Sequence, residues 1–176
     1  FPTRRSSDLA RRLHLTPMVA DNVAPHATAF TVSIDYAKDL TTGISAQERC
    51  ACIRALANPN VAAEDFVRPG HIFPLIAREG GVLIRSGHTE AAVDMSRLAG
   101  LPPVGLIAEL VNDDGTVKRL PDILTFAKEH KLLVVSIDDL IAYRQQRESL
   151  ITRTSEGQVE TGIGPAQAVV YSTAFD

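Results

Sequence analysis

Residues 68–90 read RPGHIFPLIAREGGVLIRSGHTE. His71 and His88 sit 17 positions apart, each directly after a glycine and each three residues after an arginine. Gly80 and Gly81 mark a turn between them, and Val82, Leu83 and Ile84 then predict a short buried strand. Thr89 and Glu90 open a helical pattern, which puts Arg85, Gly87 and Thr89 at a strand-to-helix turn. Free backbone N–H groups and the helix dipole at such a turn suit a phosphate or carboxylate. A glycine lets the backbone approach a ligand closely, and an arginine offers a planar fork for phosphate. The residue types alone leave two readings open, an anion-binding site and a structural loop.

Working outward, the alternation of Phe30, Val32 and Ile34 predicts a half-buried strand over residues 30–35, with those three on the inner face. Upstream, Leu9 to Met18 reads as a short helix that ends at Thr16-Pro17. Ser45 and Glu48 form a capping box for a helix from Ala46 to Ala57, stopped by Asn58-Pro59. Residues 65–81 read as loop with one short apolar run. Thr89 is expected to cap a helix to Ala99 with Ala91, Met95 and Leu98 along one face. Gly100 and Pro102-Pro103 end that helix. Val104 to Val111 is almost continuously apolar and predicts a buried strand with Glu109 inside it. Asn112 to Gly115 is a turn. A helix begins near Pro121, Leu132 to Ile137 predicts another buried strand, and a helix runs from Asp138 to Arg147. Strands alternating with helices predict an α/β (α+β) domain in three layers, a mixed twisted sheet flanked by helices.

The totals exclude several classes. A chain of 176 residues with 45% hydrophobic and 22% charged residues suits one domain with a real core. A net charge of −3 carries no nucleic-acid signature. No apolar run is long enough to span a membrane, and no signal-peptide pattern opens the chain. Cys50 and Cys52 lie on one predicted helix at a spacing unsuited to a disulfide or a C-x-x-C redox pair, so a reducing cytoplasm is expected.

RPGHIFPL, RSGHTE and the later AELVNDDG of residues 108–115 together resemble 3,4-dihydroxy-2-butanone 4-phosphate synthase. The resemblance runs from about Leu9 to Arg147 and implies conversion of D-ribulose 5-phosphate to that ketone phosphate and formate. It implies Mg²⁺ (or Mn²⁺) as cofactor and a homodimer. It implies His71 and Glu109 as catalytic groups and His88 as metal ligand. Arg85, Ser86, Gly87, His88, Thr89 and Glu109 are implied as substrate contacts. Ser86 stands where that family often has glycine or alanine, a change expected to be tolerated. Thr41-Thr42-Gly43 resembles the family's TTG segment, which implies Thr42 as a further substrate contact. The family's N-terminal acidic metal-binding loop is missing from this chain, so the chain as it stands is expected not to catalyse at a normal rate.

Residues 1–9, FPTRRSSDL, resemble the translation of a sequencing adapter and are expected to carry no fold information. Residues 10–147 are expected to form the synthase domain and residues 148–160 a polar linker. Residues 161–176 resemble the start of a GTP cyclohydrolase II domain, as in bifunctional riboflavin enzymes. Glu109 stands out without any family. A carboxylate in an apolar strand is desolvated, its pKa tends to rise, and it can move protons near neutral pH. An exposed strand end or an arginine partner would explain it equally well. His14, His26 and His130 read as structural, and Cys50 and Cys52 as packing residues. Two other functions stay open: a non-catalytic sugar-phosphate-binding module, and a metal-assisted sugar-phosphate lyase or isomerase of other specificity.

Overall fold

The computed structural model describes residues 6–149 and 151–173. In chain order the elements are α1 (Ser6–Arg12), β1 (Ala29–Phe30), β2 (Ile34–Tyr36), α2 (Ala46–Ala57), β3 (Phe66–Ile72), β4 (Leu75–Ile76), α3 (His88–Leu98), α4 (Leu120–Glu129), α5 (Ile137–Arg147), β5 (Ile151–Thr161) and β6 (Gly164–Thr173). The mixed α/β class is as expected. The strands, however, pair as three separate two-stranded antiparallel ladders, β1–β4, β2–β3 and β5–β6, and not as one mixed sheet among the described residues.

One core holds the first half together. Leu13, Ile34, Cys52, Leu56, Val61 and Phe66 bury against one another, and Leu9 packs on the edge. Ser6 to Leu9 therefore form helix, contrary to the expectation that residues 1–9 carry no fold information; residues 1–5 lie outside the described residues. The physical reason is the helical spacing of Leu9 and Leu13, which puts both side chains on one face. α2 forms where expected. Ser45 Oγ accepts the Glu48 N–H at 3.2 Å, and the Glu48 carboxylate turns back to the Ser45 N–H. On this helix Cys52 is buried and Cys50 exposed.

A smaller core joins Val82, Ala91 and Leu140 between α3 and α5. Residues 81–83 form a 3-10 turn there, not the expected strand. Gly80 and Gly81 both have positive φ (87° and 63°), which coils the chain before a strand can start.

Several expectations are corrected. Residues 65–81 hold β3 and β4, not only loop. Phe30 is exposed on the short β1–β4 ladder, while Thr31 is buried; Ile34 and Asp35 are both buried where the β2–β3 ladder breaks register between them. Ile34 pairs with Ile72 but Asp35 pairs with Val67, so residues 68–71 bulge out of β3. Pro69 has no N–H for a ladder, which suits it to a bulge.

Residues 104–110 and 132–136 form no strand among the described residues, and Leu106 and Leu133 are 68% and 96% exposed. Burying an apolar run needs strands beside it and a layer over it, and no described strand pairs with either segment. Residues 151–160, expected as linker, form β5 together with Thr161 and pair with β6 from Ile151–Thr173 to Thr161–Gly164. Residues 174–176, the end of the expected second domain, lie outside the described residues.

Candidate active site

The bulge in β3 builds the first centre. Gly70 closes on the backbone of Ile34 and Asp35; a Cβ there would lie 2.0 Å from the Ile34 carbonyl carbon. That approach brings the His71 N–H to Asp35 Oδ1 at 2.9 Å and His71 Nδ1 to Asp35 Oδ2 at 2.7 Å. One buried carboxylate thus holds both the backbone and the ring of His71. Gly43 of the TTG segment roofs the pair, with φ of 79°. A Cβ on Gly43 would sit 2.1 Å from Asp35 Oδ2 and 2.7 Å from His71 Nδ1. Thr42 is exposed beside it, while Thr41 donates through its N–H and hydroxyl to Glu48 at 2.7 and 2.8 Å. Burial, reinforced by the nearby Asp35 charge, pushes the Cys52 thiol up to about 11, so that sulfur stays protonated and inert.

The second centre is an open groove at the start of α3. Ser86, Gly87, His88, Thr89 and Glu109 line it together with Arg85, Arg78, Thr28 and the backbone at His26. Six of the expected site residues therefore share one groove, whereas His71 and Thr42 do not line it. The N-cap of α3 is Gly87, not Thr89, and no side chain caps the helix. Thr89 instead turns inward and is buried. His88 and Ser86 are exposed. Glu109 is exposed as well, which corrects its expected place inside a buried strand; the segment carrying it has no strand beside it to exclude water.

Arg85 is committed within the protein. Its Nη1 donates to Glu90 Oε2 at 2.5 Å, and its Nη2 donates to Thr28 Oγ1 at 2.9 Å and the His26 carbonyl at 3.2 Å. Glu90 is 1% exposed, and its Oε1 also accepts the Arg78 N–H at 2.9 Å. Gly87 has no room for a side chain because this pair crosses beneath it: a Cβ would lie 2.3 Å from Arg85 Nη1. One turn along α3, Asp94 Oδ2 accepts from the Val82 N–H and from Arg144 Nη1, each at 2.8 Å, and Arg144 also binds the Gly80 carbonyl and Glu148. The buried face of α3 is thus acidic, with Glu90 and Asp94 beside Ala91, while Met95 and Leu98 are about half exposed.

Asp35, Glu90, Asp94 and Arg144 were missed in the sequence. The i, i+4 spacing of Glu90 and Asp94 puts them on one face, yet nothing local says that this face turns inward. The described residues contain no group of three or more His, Cys, Asp or Glu able to hold a metal ion. His88 offers one imidazole, which alone does not fit a divalent-cation centre. No helix among the described residues is long and apolar enough to cross a membrane.

An α/β domain with one carboxylate-held histidine and a second histidine over a helix N-terminus is the class defined by this geometry. The chain belongs to the 3,4-dihydroxy-2-butanone 4-phosphate synthase family, whose profile matches residues 3–143. It is 54% identical over 167 residues to riboflavin biosynthesis protein RibBA of Bacillus cereus (strain AH187), an alignment covering 95% of this chain and 42% of that protein. The chain therefore spans about two fifths of the length of the curated relatives it matches. Its fold is similar to RibBX, a two-domain 3,4-dihydroxy-2-butanone 4-phosphate synthase from A. baumannii, with a TM-score of 0.88 and 38% identity over 98% of this chain and 51% of that one. It is also similar to a 3,4-dihydroxy-2-butanone 4-phosphate synthase solved in complex with two magnesium ions, with a TM-score of 0.72 and 38% identity over 80% of this chain and 70% of that one.

Proposed function

We propose that the chain carries the histidine centres of a 3,4-dihydroxy-2-butanone 4-phosphate synthase acting in riboflavin biosynthesis in the cytoplasm. D-Ribulose 5-phosphate is converted to the four-carbon ketone phosphate and formate, a division of atoms that needs no oxidant or reductant. The observation that supports this reading best is the groove shared by Ser86, Gly87, His88, Thr89 and Glu109. Its helix N-terminus offers N–H groups to phosphate or to an enediolate oxygen. Arg85 acts as a fixed wall of this groove, since Glu90 already takes its charge. His71 and Glu109 exchange protons with substrate carbon and oxygen, and Thr42 contacts substrate beside the His71 centre.

Mg²⁺ is the proposed cofactor, in line with the magnesium-bound relative, and Mn²⁺ is its substitute. His88 would supply one ligand; the described residues do not supply a full shell, and no chemical step is assigned to the ion. A homodimer is proposed on the family resemblance. The resemblance of residues 159–171 to the start of GTP cyclohydrolase II extends the proposal to a bifunctional protein.

The test is formate release from ribulose 5-phosphate with Mg²⁺, with the sugar product identified by mass spectrometry. The chain as it stands is expected to release little formate; in a protein that also carries the family's acidic loop, formate and the four-carbon phosphate, both lost in His71→Ala and His88→Ala, are the expected result. Binding of ribulose 5-phosphate without turnover would replace this reading by that of a sugar-phosphate-binding module. A different product would replace it by another lyase or isomerase.

A further inference from the structure

The Asp35 carboxylate has no proton to donate when ionised, and both of its oxygens accept from the same residue. Oδ1 takes the His71 N–H at 2.9 Å, and Oδ2 faces His71 Nδ1 at 2.7 Å. With the carboxylate ionised, a contact this short to a ring nitrogen places the hydrogen on the nitrogen. Asp35 is only 4% exposed, so water does not compete for its oxygens. The Gly43 backbone closes over the contact, at a spot where any Cβ would strike both partners. The His71 side chain is nevertheless 40% exposed. With Nδ1 engaged inward, Nε2 is the ring nitrogen left to meet a substrate.

We infer that Asp35 is a positioning residue that locks His71 in the Nδ1–H tautomer and leaves Nε2 as its proton acceptor, with the Gly43 turn shielding the pair. The same division of labour, a buried carboxylate orienting a histidine base, operates in hydrolase triads. Asp35 touches no substrate in this account; it acts through the imidazole. A neutral ring in the opposite tautomer would present N–H at Nε2 and could not accept a proton there. The catalytic consequence rests on the synthase reading above, whereas the tautomer does not.

The experiment is two-bond ¹H–¹⁵N correlation NMR on ¹⁵N-histidine-labelled protein at roughly pH 8.5, about two units above the ordinary imidazole range. His71→Asn identifies the signal. Wild type is expected to show Nδ1–H. In Asp35→Asn the side-chain oxygen still accepts the His71 N–H, which turns the amide NH₂ toward Nδ1, so the tautomer is expected to switch to Nε2–H. In turnover by a protein that also carries the acidic loop, Asp35→Asn is expected to lower kcat by roughly 10⁴-fold with little change in KM, as wrong-tautomer variants do.

An Nε2–H signal in wild type, which needs no variant to fold, would overturn the inference. So would an unchanged tautomer in Asp35→Asn. If a protein that also carries the acidic loop makes no formate while Asp35→Asn shows the switch, the synthase reading fails and the positioning role of Asp35 stands. If formate is made while wild-type His71 is Nε2–H, the reverse holds.

Discussion

The Arg85 guanidinium and the Glu90 carboxylate meet at 2.5 Å beneath the N-cap glycine of α3, with Glu90 1% exposed. They lie five positions apart, and Gly87 lies between them in sequence and above them in space. This pair defines the floor of the groove at His88. It also tethers α3 to the loop at His26 and Thr28 through the second Arg85 nitrogen.

Arg85→Ala is therefore expected to cost folding stability and not only ligand affinity. Breaking a buried pair from one side costs about 3 kcal/mol, because the remaining charge stays buried without its partner. In a domain of this size that corresponds to a fall in Tm of roughly 6–12 °C. A calorimetric scan decides the point. An unchanged Tm would mean that Arg85 is a ligand fork with no structural duty.

Asp94 and Arg144 are expected to behave as one unit. Arg144 joins α5 to α3 and to the Gly80 turn, through Asp94 and the Gly80 carbonyl at 2.8 Å each. Arg144→Met should lower stability by roughly 3–5 kcal/mol, and Asp94→Asn combined with Arg144→Met should recover part of that loss. Urea unfolding of the four proteins of the double-mutant cycle measures the coupling. Additive losses would show that the two side chains act independently.

Gly43 and Gly100 form a controlled comparison. Both have positive φ, 79° and 71°, so alanine carries a similar backbone cost of about 1 kcal/mol at each. At Gly100 a Cβ meets nothing within 4 Å, whereas at Gly43 it strikes Asp35 and His71. Gly100→Ala should retain activity and lose about 1 kcal/mol. Gly43→Ala should lose more than that and also move the His71 ring resonances. Equal losses, with His71 unmoved, would remove Gly43 from the site.

The α2 capping box predicts an acid dependence. Hydrogen bonds hold the Glu48 carboxyl down at about 2, the Thr41 N–H first, then the Ser45 and Thr41 hydroxyls. The folded value lies below the ordinary 4.5, so the stabilisation is full above about 4.5 and drains away as pH falls toward 2. Glu48→Gln should flatten the stability profile across that window. Denaturant midpoints of both proteins from pH 6 downward (roughly one reading per unit) test this, and parallel profiles would count against it.

Local chemistry was legible where a few neighbouring residues suffice. The Ser45–Glu48 box, Asn58-Pro59 and the Asn112–Gly115 turn act over three or four residues, and the structure shows them as expected. The two histidine motifs stood out for the same reason, since glycine and arginine leave a local signature, but the residues alone left a structural loop equally open. The strands over 104–111 and 132–137 were not, because an apolar run states what it avoids and not which neighbour covers it. Residues 151–160 looked like linker because they are polar, yet pairing with β6 satisfies their backbone without an apolar face.

By itself the sequence determined α2 with its capping box, the places of α4 and α5, and the family resemblance. Tertiary structure alone decided which acids face inward. The bulge at Arg68–His71 turns Asp35 onto His71, and the roll of α3 buries Glu90 and Asp94 against Arg85 and Arg144. The reason is physical: a buried carboxylate is stable only where donors from distant parts of the chain converge on it, and convergence is a property of the folded chain.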